Sequence, residues 1–225
     1  MKVRLTLGID EAGRGPAIGP MVMAAVALDT KAASRLTRAG LRDSKSYGVG
    51  DDARARRAEM AACVRDAARY VRVEVIEVAE IDARVACGEL NVLEREVALR
   101  MLEPAPRCDR IIADGRRMFA ALAARIDGFE AHDEGESRHA AVAAASVVAK
   151  VQRDALFEAI RARYVEEFGP ISGGGYVKDG TRRFLRAYAE RYQALLPEAR
   201  RSWPHPYLVD LLGDLRPPGP QLPLL

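Results

Sequence analysis

Cysteine is scarce in this chain, and its few positions follow no ligand spacing. Cys63, Cys87 and Cys108 are scattered without a C-x-x-C pair, which argues against a zinc site or a disulfide framework. Long apolar runs are missing as well. Ala140–Ala149 is mostly apolar but falls far short of the roughly 20 residues a membrane span needs. Val3–Ile9 is too short for a secretory leader and runs straight into acids. No Gly-Lys-Ser/Thr follows a glycine-rich stretch, so a nucleotide phosphate loop is excluded. Lysine is rare too, standing only at positions 2, 31, 45, 150 and 178, so arginine carries the positive charge. Where arginine is the default, a lysine inside a motif hints that a compact point charge is wanted there. These absences point to a soluble, cytoplasmic protein that does not engage a membrane.

What is present fits one core, with room for a small appendage: 225 residues, 49% of them hydrophobic. The formal net charge of +3 and a sequence pI near 8.8 permit nucleic-acid binding through a local patch without requiring it. No internal repeat and no interdomain linker stands out.

The chain is organised around Gly8-Ile9-Asp10-Glu11-Ala12-Gly13-Arg14-Gly15-Pro16, closed by Gly19 and Pro20. The apolar run Val3–Ile9 predicts a buried strand ending on two adjacent carboxylates, and strand ends are where open α/β sheets place their chemistry. Adjacent acids repel unless a cation offsets the cost, and glycines let a backbone approach a ligand closely. The combination suggests a metal-binding acid pair beside a loop that touches a polyanion; a solvated turn is the ordinary alternative. The dinucleotide fingerprint does not fit: the third glycine is one place late, and a strand rather than a helix follows. In a regular strand Asp10 and Glu11 face opposite ways, so joint use of the pair implies that the chain leaves strand geometry there.

Further along, Met21–Leu28 predicts a second strand in a hairpin-like pairing with the first. Helices are expected over Lys31–Ala39, over Asp51–Arg69 with Cys63 and Val64 facing inward, over Glu89–Leu102 and over His139–Phe168. Tyr70–Val78 alternates as a half-exposed strand. Asp43-Ser44-Lys45 is either a helix cap or a Ser-Lys donor pair for backbone phosphates. Arg110–Asp114 is a short apolar strand ending on a carboxylate. If it lies parallel to the first, Asp10 and Asp114 meet at their C-terminal ends; a helix cap is the ordinary role for Asp114 alone. Ser146, Lys150 and Arg153 share one helix face, a core helix with a solvated charged edge being the plainer reading. Ser172–Tyr176 presents one ring from a glycine loop. Thr181–Tyr192 and Trp203–Leu212 predict two last helices, and Pro217–Leu225 a disordered tail.

Four blocks, Gly8–Pro20, Asp43–Lys45, Arg110–Gly115 and Ala144–Asp154, closely resemble ribonuclease HII, the type 2 ribonuclease H family, in matching order over roughly residues 3 to 190. The resemblance implies an α/β, ribonuclease H-like fold with a mixed central sheet flanked by helices and a C-terminal helical extension. It places a catalytic domain at 1–168, substrate handling at 169–215 and a disordered tail at 216–225. It implies a metal-dependent endonuclease that cuts the RNA strand of RNA/DNA hybrids and incises 5′ to ribonucleotides embedded in duplex DNA, leaving 3′-hydroxyl and 5′-phosphate ends. Asp10, Glu11 and Asp114 match the family's acids. Counting back from Ala144-Ala145-Ser146 puts Glu136 where the family usually carries an aspartate, with Asp133 and Glu134 as competitors. These acids would hold two divalent cations, Mg²⁺ or Mn²⁺. Gly13, Arg14 and Gly15 would read the 2′-hydroxyl, Ser44, Lys45, Ser146 and Lys150 would contact the substrate backbone, and Tyr176 would set its ring against the following sugar. A monomer is implied. Gln221 and Leu224 faintly resemble a sliding-clamp-binding tail that lacks its aromatic pair. A hybrid-binding protein that does not cut, and a DNA-junction nuclease of the same fold, are the other readings; the four acids argue against the first, and the Gly-Arg-Gly loop with Tyr176 against the second.

Overall fold

In the computed structural model, which describes residues 4–215, the first apolar run forms strand β1 (Leu5–Ala12). It pairs antiparallel with β2 (Met21–Asp29), Leu5 opposite Asp29 and Ala12 opposite Val22. Every residue of β2 is buried, as expected of a strand that reads as continuously apolar. Asp29 then caps α1 (Thr30–Arg38) by accepting from the Ala32 N–H at 2.8 Å. A 3₁₀ turn over Ser44–Tyr47, capped by Asp43, precedes α2 (Asp51–Ala67). Next come β3 (Tyr70–Ile76), α3 (Val78–Ala86), α4 (Leu90–Leu102), β4 (Arg110–Asp114), α5 (Arg116–Ala123), β5 (Phe129–His132) and α6 (Gly135–Arg138). The long helix α7 (Ala140–Phe168) follows, then a 3₁₀ turn at Gly173–Gly175, α8 (Asp179–Tyr192), a 3₁₀ turn at Pro206–Leu208 and α9 (Val209–Leu212).

The strands form one mixed sheet in the order β3-β2-β1-β4-β5. Strand β1 is antiparallel to β2 and parallel to β4, and β4 is parallel to β5. Parallel neighbours need a long crossover, which the chain between β1 and β4 supplies. Among the described residues no helix is long and apolar enough to cross a membrane.

The chain divides into two compact units that interleave along the sequence. The first holds the described residues up to Ala12, then Val22–Val75 and Asn91–Gln152. The second holds Gly13–Met21, Ile76–Leu90 and the described residues from Arg153 onward. In the first unit α7 lies hard against β1. A Cβ on Gly8 would sit 2.2 Å from the Ala141 carbonyl carbon, so only glycine lets helix and strand approach this closely. The second unit has a core cluster of its own that includes Ile18, Phe157, Ile160, Phe184 and Leu196.

Three local expectations are corrected. Cys63 is exposed, while Val64 is fully buried: neighbours on a helix lie about 100° apart, and only one of them faces inward. Trp203 precedes the last helical turns instead of opening one, because Pro204 and Pro206 disfavour helical backbone at the residues before them, and the first turn starts only at Pro206. Arg153 is buried and not part of a solvated edge. The expected tail at 216–225 lies outside the described residues.

Gly8→Ala tests the close approach directly. The added methyl has backbone rather than a flexible side chain to displace, so a loss of about 3 kcal/mol is expected in urea unfolding. An unchanged midpoint would show that α7 shifts freely.

Candidate active site

In the parallel pairing Ile9 stands opposite Ala113, so Asp10 and Asp114 follow at the same end of adjacent strands. The strand does not break at the acids: Asp10 pairs opposite Ala24 and Glu11 opposite Met23. The expected departure from strand geometry is therefore absent, because antiparallel pairing to β2 continues through Ala12 after pairing to β4 has ended. Asp10 is buried and Glu11 part-buried, and the Glu11 N–H donates to Asp10 Oδ1 at 2.8 Å.

Asp114 does not cap a helix. Its Oδ1 accepts from the Gly135 N–H at 2.8 Å, and Gly115, in left-handed backbone (φ 97°), takes the cap position of α5. That bond ties the start of α6 to the end of β4. Glu136 on α6 is buried, and Lys45 Nζ donates to its Oε1 at 3.4 Å. Its Oε2 is buried without a hydrogen-bond partner among the described residues. Asp133 instead accepts from the Arg116 N–H at 2.9 Å, and Glu134 stands exposed at φ 59°. Of the three acids weighed, Glu136 is the one set beside Asp114.

The charges bear this grouping out. Burial pushes the Asp10 carboxyl well above the usual carboxylate range, and Glu11 and Asp114 push it further. Burial raises Asp114 to about 6; Glu136 adds to the rise, while the Gly135 N–H and Lys45 oppose it. Lys45 is desolvated enough to weaken its charge, yet Glu136, Asp43 and Asp10 outweigh that and hold its ammonium above the ordinary value. The Ser146 hydroxyl lies between two partners, Ser44 Oγ at 2.9 Å and the Asp10 carboxylate. Ser44 and Ser146 are thus buried against each other, and Lys150 lies part-exposed one turn further along α7. Among the described residues no three His, Cys, Asp or Glu side chains converge into a formed metal cage. The donor chemistry nonetheless fits a hard cation: the donors are carboxylate oxygens, burial and neighbouring acids raise two of the carboxyls, and Glu136 Oε2 is buried without a hydrogen bond among the described residues.

The second unit holds the glycine loop. Gly13 adopts φ 85°, and a Cβ there would meet Arg153 at 2.9 Å. Arg153 donates from Nη2 to the Ile18 carbonyl at 2.8 Å and stacks over Phe157. The Gly175 carbonyl accepts from the N–H groups of Ala17 and Ile18 at 2.8 and 3.2 Å. This fixes the turn that carries Tyr176, whose ring is half exposed and would touch a Cβ on Gly15 at 3.2 Å. Arg200 is fully buried and binds the carbonyls of Gly13, Arg14 and Gly19. Burial, with the nearby charge of Arg153, lowers its guanidinium to about 10, so it stays charged at neutral pH. Sequence reasoning passed over Arg200 entirely. Its one visible signal is an arginine three places before the only tryptophan.

The family model for ribonuclease HII matches residues 7–205. The ribonuclease HII of Methanothermobacter thermautotrophicus is 36% identical over 206 residues, covering 88% of this chain and 95% of that protein. Among solved structures, ribonuclease H2 from Pyrococcus horikoshii OT3 superposes with a TM-score of 0.78 at 26% identity, covering 94% of this chain and 98% of that one. The ribonuclease HII of Archaeoglobus fulgidus, solved as a complex with PCNA, gives 0.72 at 27% identity over 89% and 95%. With the mixed sheet, the order of the motifs and the grouping of acids, these matches establish that the chain belongs to the ribonuclease HII family, metal-dependent endonucleases with ribonuclease H activity on RNA/DNA hybrids.

Proposed function

We propose that this chain, besides cutting the RNA strand of hybrids, incises 5′ to single ribonucleotides embedded in duplex DNA, with Asp10, Glu11, Asp114 and Glu136 holding two divalent cations, Mg²⁺ or Mn²⁺. One observation carries the reading. Burial and neighbouring acids raise both Asp10 and Asp114, a cost that bound cations relieve and that a protein which only binds hybrids has no reason to bear. When bound, the cations would supply an activated water and stabilise the leaving oxygen.

The chain's own side chains do the rest. Lys45, exposed apart from its contact with Glu136, offers a point charge to a phosphate, and Ser44, Ser146 and Lys150 supply further polar contacts to the backbone. Gly13, Arg14 and Gly15 bring main chain close enough to read a 2′-hydroxyl, the group that separates RNA from DNA. Tyr176 sets its ring against the sugar that follows. On this reading residues 1–168 carry catalysis and residues 169–215 handle substrate. Clamp binding is a further reading, favoured by the PCNA complex of the Archaeoglobus fulgidus relative. Gln221 and Leu224 lie outside the described residues.

Three outcomes are expected. Without metal, the Asp114 carboxyl titrates near 6 in the folded chain against about 4 unfolded. The folded state therefore holds that proton more tightly, and the contribution of Asp114 to stability declines as pH rises from about 4 to about 6, then levels off. Asp114→Asn removes that slope and melts above wild type at pH 7 without metal; Mg²⁺ or Mn²⁺ then raises the wild-type Tm and leaves the variant's unchanged. Identical melting with and without metal in both proteins would remove Asp114 from the cation-binding set. In cleavage of a DNA duplex carrying one ribonucleotide, Asp114→Asn falls below about one-hundredth of the wild-type rate, and a wild type that binds but leaves the duplex intact with either metal overturns the incision reading. Tyr176→Ala lowers incision at a single ribonucleotide about tenfold, equivalent to ~1.4 kcal/mol in the transition state. It affects a long hybrid less, and equal losses on the two substrates would sink the assignment.

A further inference from the structure

A fully buried guanidinium normally satisfies its charge with a carboxylate. Arg200 spends its donors on main-chain carbonyls instead. Nη1 donates to Arg14 O at 2.8 Å, Nε and Nη2 donate to Gly19 O at 3.0 and 2.9 Å, and Nη2 also reaches Gly13 O. Trp203 completes the set: its ring lies under the guanidinium at 4.8 Å, and its Nε1–H donates to Gly15 O at 3.1 Å. Three consecutive carbonyls, those of Gly13, Arg14 and Gly15, are therefore turned toward one pair of side chains.

The segment bearing that pair is itself anchored. The Arg200 N–H donates to Ala17 O at 2.8 Å, and Ala199 bridges Ile18. Asp82 on α3 accepts from the N–H groups of Arg201 and Ser202 at 2.9 and 3.0 Å and from the Ser202 hydroxyl. His205 Nε2 donates to the Arg200 carbonyl at 2.8 Å.

A trans peptide points its C=O and the following N–H in opposite directions, and no described peptide is cis. Turning the carbonyls of Gly13 and Arg14 inward therefore directs the N–H groups of Arg14 and Gly15 the other way. The Gly15 carbonyl has no such counterpart, since Pro16 carries no N–H.

We propose that Arg200, together with Trp203, is a positioning residue for ribose recognition: it fixes the peptide planes of Gly13–Pro16 so that the Arg14 and Gly15 N–H groups are presented to a 2′-hydroxyl oxygen. The proposal rests on the reading of this loop as the ribose reader. It adds the residues that set the loop's orientation. Arginine is required because a planar fork reaches several carbonyls at once, which a single ammonium cannot do.

The test is binding of the full chain, with a chelator present, to two duplexes that differ only in one 2′-hydroxyl. Wild type is expected to bind the ribonucleotide duplex about tenfold tighter than the all-DNA duplex, the worth of one or two hydrogen bonds. Arg200→Lys should bring that ratio close to one and Trp203→Phe should bring it part of the way, to about threefold, each leaving affinity for the all-DNA duplex within about twofold of wild type. Trp203→Phe keeps a ring under the guanidinium and frees only the Gly15 carbonyl, loosening the residue that bears one of the two N–H groups, so it keeps the proposal testable even if Arg200→Lys fails to fold. Variants that weaken both duplexes equally, or that discriminate as wild type does, overturn the positioning role and leave the loop reading intact. A wild type that does not discriminate overturns the loop reading itself, and the positioning role falls with it.

Discussion

Like charges held close together away from water are the constraint on which the first unit turns. Parallel pairing of β1 with β4 delivers Asp10 and Asp114 to one strand end, and α6 adds Glu136 beside them. Nothing in hydrophobic folding favours that gathering; besides burial, Glu11 and Asp114 make Asp10 harder to ionise, and Glu136 does the same to Asp114. The chain tolerates it because partial compensation is spread over several donors: the Gly135 amide on Asp114, the Ser146 hydroxyl on Asp10 and the Lys45 ammonium on Glu136. The compensation is incomplete, since both aspartates stay raised. Such a cost at a strand end fits the proposed use of the place by cations supplied from outside.

The second unit solves the opposite problem. Two guanidiniums, Arg153 and Arg200, are buried there; burial and the charge of Arg153 lower Arg200, whose donors go to main-chain oxygens of the glycine loop, and Arg153 adds one bond to the Ile18 carbonyl. Carbonyl dipoles balance a cation less completely than a carboxylate would. The glycines are what allow it. At Gly13 and Gly175 a side chain would collide with Arg153 or with the Ile18 carbonyl, so the loop can fold inward on the arginines only without one.

Much of this was legible in the residues. The strand ending at Asp114 was readable to the residue, because Arg110–Asp114 is bounded by prolines on one side and glycine on the other. The antiparallel partner of β1 followed from the short link between two apolar runs. Glu136 could be placed among the acids only by counting back from a helix motif; its burial, and the diversion of Asp133 to the Arg116 amide, depend on how α6 docks on β4. The strand's persistence through Glu11 was misjudged because local logic asked how two neighbouring acids could serve one site, whereas pairing to β2 decided the backbone. Arg153 was legible only as sharing a helix face with Ser146 and Lys150, a solvated charged edge being the plainer reading, and Arg200 drew no reading at all. Nothing local marks an arginine as buried when its partners are carbonyls well over a hundred positions away.

That distance has a consequence for how the protein comes into being. The bond from Arg200 to the Gly13 carbonyl spans 187 positions, so the loop must wait for all of that intervening chain to be made before it meets its clamp. At ordinary elongation rates the wait is roughly 10–40 s. In the later part of it, once Asp114 has been made, the strands bearing Asp10 and Asp114 are free to pair. A nascent chain that has not yet reached Arg200 can thus assemble its acids while the element proposed to tell ribose from deoxyribose still lacks its support, and synthesis of the stretch that ends at Arg200 doubles as a licence to recognise substrate.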